Sequence, residues 1–145
     1  MSTDTTDDEV AALLRTADQR YTSGRRRLVA ALRRGDGPMT IPQILELDGA
    51  LAQSSVYRNL VVLEEVGAVT RIVTRDDFAR YELAEDLTGH HHHLICTSCG
   101  QVSDFALTPA VEAELDKALR SVARRSRFAV EGHRLDLVGV CADCR

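Results

Sequence analysis

The sequence contains no tryptophan, and aromatic residues make up only 4% of it, so little aromatic surface is left once a core is buried. No apolar run approaches the roughly 20 residues that a helix needs to cross a bilayer. The N-terminal residues are acidic and rich in Ser and Thr, unlike a secretory signal. We therefore expect a cytoplasmic protein without membrane contact. The formal net charge of −4 argues against a protein that coats nucleic acid over its whole surface.

The charge is nevertheless sorted along the chain. Residues 20–34 contain no acidic residue, whereas residues 1–9 are acidic. The basic residues of the first segment are Arg20, Arg25, Arg26, Arg27, Arg33 and Arg34, and the acidic residues of the second are Asp4, Asp7, Asp8 and Glu9. The basic segment predicts either a surface that faces phosphates or an ordinary solvated helix face, and the charge pattern leaves both open.

Residues 1–83 have the pattern of a small helical unit with an acidic leader at residues 1–8. The periodicity predicts helices at 9–20, 25–34, 40–48 and from Ser54 or Ser55 to 66, with Thr40 and one of these serines as caps and Gly67 as a stop. The β-rich segments 68–74 and 80–83 predict a hairpin. This order is typical of a winged helix-turn-helix, although any small helical domain with a hairpin shares it.

A turn-like segment at 84–89 predicts a hinge, and residues 90–145 predict a second, α/β unit. Segments 91–98, 101–107 and 133–141 are strand-like, and 108–126 is an amphipathic helix with Thr108 as cap and Pro109 at its first position. The whole chain is therefore expected to be α+β. A unit of about 55 residues is marginally stable alone, so we expect a structural metal or a dimer interface to stabilise it.

Two Cys-x-x-Cys pairs lie at the two ends of this second unit. Each two-residue spacer lets a turn point both thiolates at one ion, and two such turns complete a tetrahedral shell that suits Zn²⁺. In a reducing compartment, metal ligands are expected rather than disulfides. The alternative is two unrelated reactive pairs. The predicted structural zinc ligands are Cys96, Cys99, Cys141 and Cys144.

Four consecutive histidines precede the first pair. Because side chains alternate along a strand, His90 and His92 should point to one face, and His91 and His93 to the other. One strand can then supply two metal sites. No combination of nucleophile, general base and open metal position is evident, so we expect no enzymatic activity.

Together, the stretches SSVYRNL, HHHHLICTSCG and CADC resemble the ferric uptake regulator (Fur) family of metal-dependent bacterial repressors. YTSGRRRLVAAL and EEVGAVTRI extend the resemblance over nearly the whole chain. It implies a homodimer on a palindromic double-stranded DNA operator, with an N-terminal winged helix and a C-terminal dimerisation domain. It also implies DNA-binding roles for five residues, namely Arg25, Ser54, Ser55, Tyr57 and Arg58.

The same resemblance implies three metal sites. One is the four-cysteine zinc site. A regulatory site for Zn²⁺ or Fe²⁺, ahead of Mn²⁺, is implied at Glu82, His91, His93 and Asp104, and an additional site at His90, His92, Glu112 and His133. The implied function is repression, with the metal as corepressor in iron or zinc homeostasis.

Three positions depart from the family's patterns. Iron- and peroxide-sensing members bring a histidine from the DNA-binding domain where this chain has Met39. Zinc-sensing members have an Asp and a Cys where this chain has Thr70 and Ala84. Two alternatives remain. One is a peroxide-responsive regulator, which Asp104 favours and Met39 weakens, and the other is a metal storage or trafficking protein without a DNA role, for which the histidine run alone would suffice.

Overall fold

A computed structural model describes residues 3–145, with side chains from Thr5 onward. Met1 and Ser2, at the start of the predicted acidic leader, and the side chain of Asp4 lie outside the described residues. The N-terminal half contains helices α1 (Thr3–Thr16), α2 (Ser23–Arg34), α3 (Ile41–Leu47) and α4 (Gln53–Glu65), followed by strands β1 (Val69–Val73) and β2 (Ala79–Leu83). Three helices, a fourth and a hairpin confirm the predicted order of a winged helix-turn-helix.

These helices begin and pack for local reasons. The Thr22 hydroxyl accepts the Arg25 amide at the start of α2, and Thr40 forms a capping box with Gln43 at the start of α3, which confirms the predicted Thr40 cap. The apolar stripes of the helices meet in one core; its fully buried members include Leu14, Leu28, Val29, Ile44, Val56, Leu60 and Leu63. Each such aliphatic side chain contributes about 1.5–3 kcal/mol.

Three of the predicted helix starts were wrong. α2 begins at Ser23, two residues before the predicted start. α1 begins at Thr3 and not at residue 9, so the described part of the acidic leader forms its first turns, where carboxylates suit the helix dipole. α4 begins at Gln53 after Ala52, without a side-chain cap, and Ser54 and Ser55 lie inside the first turn. The predicted stop at Gly67 is confirmed: its φ is 78°, in the left-handed region that favours glycine.

The hairpin is tied to the helices by one more backbone pairing. β1 and β2 are antiparallel, with Thr70 opposite Glu82. Met39, between α2 and α3, forms an isolated bridge with Tyr81 of β2, through backbone hydrogen bonds of 3.0 and 2.8 Å. The strand that carries Glu82 is therefore fixed to the helical core on one side and to β1 on the other.

The C-terminal half begins after a short helix, α5 (Glu85–Thr88), which occupies the predicted hinge. It contains β3 (His92–Cys96), β4 (Val102–Phe105), α6 (Pro109–Arg125), β5 (Asp136–Gly139) and a 3-10 turn (Ala142–Cys144). The strand order is β4-β3-β5, with β3 antiparallel to β4 and parallel to β5. Each strand is shorter than predicted. The α6 cap at Thr108 and Pro109 at its first position are confirmed.

Within the described residues, no helix is both long enough and apolar enough to pass through a lipid bilayer.

The two halves touch closely at two glycines. A Cβ at Gly37, in the α2–α3 loop, would lie 2.9 Å from the Val102 carbonyl oxygen. A Cβ at Gly100, next to the first cysteine pair, would overlap the Asp76 carboxylate and lie 2.7 Å from Arg80 Nη2 in the hairpin. Arg80 is only 5% exposed and donates to both Asp76 oxygens, at 3.0 and 2.7 Å. The hairpin therefore packs its Asp76–Arg80 ion pair, in which only the arginine is buried, against Gly100.

We predict that Gly100→Ala destabilises the protein more than Gly67→Ala. Both glycines have left-handed φ values, 76° and 78°, but nothing lies within 4 Å of a Cβ at Gly67. Both variants should lose about 1–2 kcal/mol from backbone strain, and Gly100→Ala a further 1–3 kcal/mol, roughly, from overpacking. Urea unfolding of the zinc-loaded proteins measures the difference. Equal losses would show that the contact with Asp76 and Arg80 does not hold the halves together.

Candidate metal centres and recognition helix

The central strand β3 distributes the histidines between two groups of ligands. β3 is hydrogen-bonded to β4 on one edge and to β5 on the other, so its side chains alternate between the two sheet faces. His92, which is 1% exposed, and His93, which is 7% exposed, are consequently buried on opposite faces. The side chains of the histidine run alternate between the two faces of the sheet, as predicted.

The four cysteines come together where β3 and β5 end. Cys96 is the last residue of β3, and Cys99 lies in the turn that follows. Cys141 directly precedes the 3-10 turn after β5, and Cys144 is the last residue of that turn. Their sulfur atoms lie within 4.8 Å of one another, and all four thiols are free. The Thr97 amide donates to the Gly139 carbonyl at 2.8 Å, which joins the two turns.

The thiols of this cluster affect one another's ionisation. Backbone amides of Cys99 and Cys141 lower the pKa of Cys96 to about 6. The Ser98 hydroxyl lowers the pKa of Cys144, but the neighbouring thiols of Cys141 and Cys99 outweigh it and raise that pKa to about 12. Four sulfurs this close can all ionise only around a cation. A four-thiolate set without an open position is the donor chemistry of structural zinc.

Glu82 and the second pair of histidines form a group that spans the two halves. Glu82 belongs to β2, in the N-terminal half. Its carboxylate lies 3.0 Å from His91 Nε2 and 3.0 Å from His93 Nε2, and Asp104 of β4 lies 3.9 and 3.7 Å from the same nitrogens. The ligand atoms of the four residues lie within 4.8 Å of one another. We call these residues the Glu82 cluster.

The ionisation of the Glu82 cluster follows from its contacts. Burial raises the pKa of Glu82, but hydrogen bonds from His93 and His91 outweigh it and hold that pKa below its usual value. The hydrogen bond with Glu82 raises the pKa of His93. Burial, with the Glu82 charge adding to it, raises the pKa of Asp104. The Glu82 charge thus disfavours the ionisation of Asp104, and a divalent cation between the two carboxylates would relieve that repulsion.

The outer nitrogens of these rings have partners that the sequence did not suggest. His91 Nδ1 donates to the Gly89 carbonyl at 3.0 Å, and His93 Nδ1 lies 3.4 Å from Asp136 Oδ1. An imidazole that donates through Nδ1 keeps the lone pair of Nε2 for a metal. Asp136 lies in β5, opposite His93 in the parallel ladder, and only the strand pairing brings the two together.

The remaining histidines form the third group, within the C-terminal half; we call it the His133 cluster. Nε2 of His90 lies 3.0 Å from one Glu112 oxygen, Nε2 of His133 lies 2.9 Å from the same oxygen, and Nε2 of His92 lies 3.0 Å from the other. Nε2 of His90 and Nε2 of His133 face each other at 3.2 Å. Three ring nitrogens and a carboxylate converge here within 4.8 Å, a donor set typical of Zn²⁺.

The His133 cluster also has carboxylates behind its rings. His133 Nδ1 lies 3.1 Å from Asp116 Oδ1, one helical turn after Glu112 on α6. His90 Nδ1 lies 3.0 Å from Glu85 Oε1 of α5, and this contact raises the pKa of His90. Asp116 could have been found by its i+4 spacing from Glu112, whereas Glu85 and Asp136 carry no sequence signal of their own.

The structure places the three residues at which the chain departs from the patterns of the Fur family, namely Met39, Thr70 and Ala84. Met39 is buried in the helical core and bridged to Tyr81, so it is a core residue. Thr70 and Ala84 line a cavity of about 330 Å³ beside Glu82 and His91. The Thr70 hydroxyl and the Ala84 methyl group therefore stand where the resemblance to zinc-sensing members would lead one to expect an Asp and a Cys.

Helix α4 presents its polar residues away from the core. Val56, Leu60 and Leu63 of α4 are buried. Tyr57 is 58% exposed, and Arg58, the next residue along the helix, is exposed as well. An aromatic ring and a guanidinium side by side on one exposed helix face can contact bases and phosphates.

The other predicted DNA-binding residues lie at the same end of α4. Ser54 is exposed, and Ser55 is half-buried and accepts a hydrogen bond from Asn59. Arg25 of α2 lies beside them and donates through Nε to Asn59 at 3.1 Å. Asn59, which carried no predicted role, therefore connects two of the candidates.

A sequence profile described as the ferric uptake regulator family matches residues 16–138. The chain belongs to the Fur family. It is 34% identical over 139 residues to the ferric uptake regulation protein of Campylobacter jejuni, covering 91% of this chain and 83% of that protein.

Two further Fur-family proteins are similar over most of this chain. The peroxide-responsive repressor PerR of Staphylococcus epidermidis is 27% identical, over 95% of this chain and 89% of that protein. The solved structure of the Helicobacter pylori ferric uptake regulator Fur covers 99% of this chain and 94% of that one, with a TM-score of 0.77 and 22% identity. That structure confirms the predicted α+β fold.

We predict that Cys96→Ser removes stoichiometric zinc and lowers the unfolding free energy by at least about 3 kcal/mol, because structural zinc supplies folding free energy. Ser98→Ala, which keeps all four thiols, is the control and should retain zinc. Metal analysis of the purified proteins and urea unfolding measure both effects. A Cys96→Ser protein that unfolds at the same urea concentration as wild type would show that the cysteine cluster is not a structural metal site.

Proposed function

We propose that this Fur-family protein is a metal-responsive DNA-binding transcriptional repressor, with a divalent metal ion as corepressor in iron or zinc homeostasis. The observation that carries the proposal is the Glu82 cluster. Glu82 comes from the hairpin of the winged helix, whereas His91, His93 and Asp104 come from the other half. A ligand that binds all four residues must fix the position of one half against the other.

The proposed domains follow from this arrangement: a winged-helix domain at 1–83, a hinge at 84–89 and a metal-binding dimerisation domain at 90–145. A divalent cation would supply the positive charge that holds Glu82 and Asp104 together. Glu82 belongs to the hairpin, and the Met39–Tyr81 bridge joins the hairpin to the helical core that includes α4. Fixing the position of Glu82 therefore also fixes the position of α4. Metal binding at the Glu82 cluster shifts the equilibrium between the joined and the separated arrangements of the two halves. The size of that shift is set by the difference in metal affinity between the two arrangements.

We further propose a homodimer that binds a palindromic operator. The C-terminal half leaves many apolar side chains exposed; these include Val111, Val122, Phe128, Val130, Leu137, Val138 and Val140. Phe128 alone is 71% exposed. A half with so small a core needs a second copy to cover this surface, and a twofold dimer presents two winged helices at a fixed separation.

The donor chemistry limits the metals. Two imidazoles and two carboxylates in the Glu82 cluster suit Zn²⁺ or Fe²⁺, ahead of Mn²⁺, and the four cysteines suit structural Zn²⁺. Three groups of ligands in this chain are in keeping with the three functional metal-binding sites described for the Helicobacter pylori protein. Whether the His133 cluster acts as a third site is part of the proposal.

A second candidate function is peroxide sensing. Asp104 in the Glu82 cluster and the likeness to the Staphylococcus epidermidis PerR favour it. Against it, Met39 stands where a peroxide-sensing member brings a histidine, and Met39 is buried in the core. Storage or trafficking of metal without DNA would leave the exposed Tyr57 and Arg58 of the winged helix without a role.

We predict that His91→Ala abolishes the metal-dependent gain in DNA affinity while the protein stays a folded dimer. His133→Ala, which removes a ligand of the His133 cluster only, is the matched control and should retain most of that gain. Fluorescence anisotropy with a DNA duplex from the protein's own promoter measures the gain, and gel filtration checks the dimer. An undiminished metal response in His91→Ala would refute the assignment of the Glu82 cluster.

We predict that one ion tightens DNA binding at a far lower free concentration than the others. The test is an anaerobic titration of the zinc-loaded dimer with buffered Zn²⁺, Fe²⁺ and Mn²⁺ in separate experiments, on the same duplex. Zn²⁺ or Fe²⁺ should act first because imidazole nitrogens bind both more strongly than Mn²⁺. DNA affinity that no ion changes would contradict the corepressor mechanism.

A further inference from the structure

Arg25 is held in place by two hydrogen bonds. Its Nε donates to Asn59 Oδ1 at 3.1 Å, and its Nη1 donates to the Arg20 carbonyl at 2.6 Å. Within the part of the chain that the structure describes, the Arg25 side chain donates through Nε and Nη1. The N–H groups of Nη2 can therefore donate to an acceptor outside the protein. The guanidinium group of Arg25 is therefore oriented before any ligand binds to it.

The amide of Asn59 is oriented as well. Its Nδ2 donates to the Ser55 hydroxyl at 3.4 Å, one turn earlier on α4. On its other side lies the first turn of α2, because a Cβ at Gly24 would be 3.5 Å from Nδ2. With Nδ2 on Ser55, the amide oxygen faces Arg25. A continuous set of hydrogen bonds thus joins Ser55, Asn59 and Arg25 across the two helices.

We infer that Asn59 is a positioning residue for DNA binding, which acts by holding the Arg25 guanidinium ready for a DNA phosphate. The inference rests on the proposed function. A free arginine side chain loses rotamer freedom when it binds a phosphate, and a pre-oriented one loses less. Asn59 contributes no charge itself, and its effect on DNA affinity passes through Arg25.

Two other roles for Asn59 are less compatible with its contacts. Asparagine can read adenine directly, but that needs both amide groups, and those of Asn59 are already bonded to Arg25 and Ser55. A purely structural role between α2 and α4 would make the loss of Asn59 equally harmful with or without Arg25. The second role can be separated from positioning by experiment.

The test is a double-mutant cycle with the full-length, metal-loaded dimer. The DNA probe is a duplex that the wild-type protein enriches from a random-sequence library, measured by anisotropy at several salt concentrations. We expect Asn59→Ala to raise Kd about tenfold in the wild-type background and less than about twofold in the Arg25→Ala background. Arg25→Ala should reduce the salt slope by about one, whereas Asn59→Ala, which keeps the charge, should leave it near the wild-type value.

The outcomes separate the inference from the function on which it rests. A wild-type protein that enriches no DNA would refute the proposed function. Normal DNA binding with equal losses for Asn59→Ala in both backgrounds would overturn the positioning role alone. Thermal unfolding of all four proteins shows whether a loss of affinity reflects a loss of folding.

Discussion

The pairing of β3 with a strand on each edge is the constraint on which the candidate metal ligands of the C-terminal half depend. An unpaired run of histidines would sample many orientations, whereas a strand held on both edges has two faces and no freedom between them. His93 is opposite Asp104 in β4 and opposite Asp136 in β5. A shift of one residue in either ladder would exchange the ligands of the Glu82 cluster and the His133 cluster.

The same strand ends in the cysteine cluster, so three groups of candidate metal ligands share one piece of backbone. Cys96 is the last residue of β3, and the Gly139 carbonyl at the end of β5 accepts the Thr97 amide. Zinc bound by the four cysteines would fasten the ends of β3 and β5 together and keep their register. In this way a structural ion far from Glu82 would preserve the orientation of His91 and His93.

The sequence predicted the features that depend on residues close together in the chain. It did not predict the contacts that form only when strands or helices pair. The helices, the hairpin, the caps at Thr40 and Thr108 and the alternation of the histidines all follow from spacing within a few residues. Asp136 and Asn59 could not be found in this way, because each meets its partner across a strand pairing or a helix contact. The predicted start of α1 was wrong because acidic residues, which are typical of a solvated leader, also suit a helix N-terminus.

The Glu82 cluster belongs to a more extensive contact between the halves, and this limits what a metal ion can do. Gly37 against Val102 and Gly100 against the Asp76–Arg80 pair hold the same two halves without using any metal ligand. These contacts lower the free energy of the joined arrangement whether or not an ion is present. Because of these contacts, an ion has less work to do in bringing the two halves together. The same contacts, however, make the metal-free protein more similar to the metal-bound protein, and a metal response depends on the difference between the two. A usable sensor needs contacts strong enough to define the joined arrangement and weak enough to leave it sparsely populated until the ligands around Glu82 are occupied.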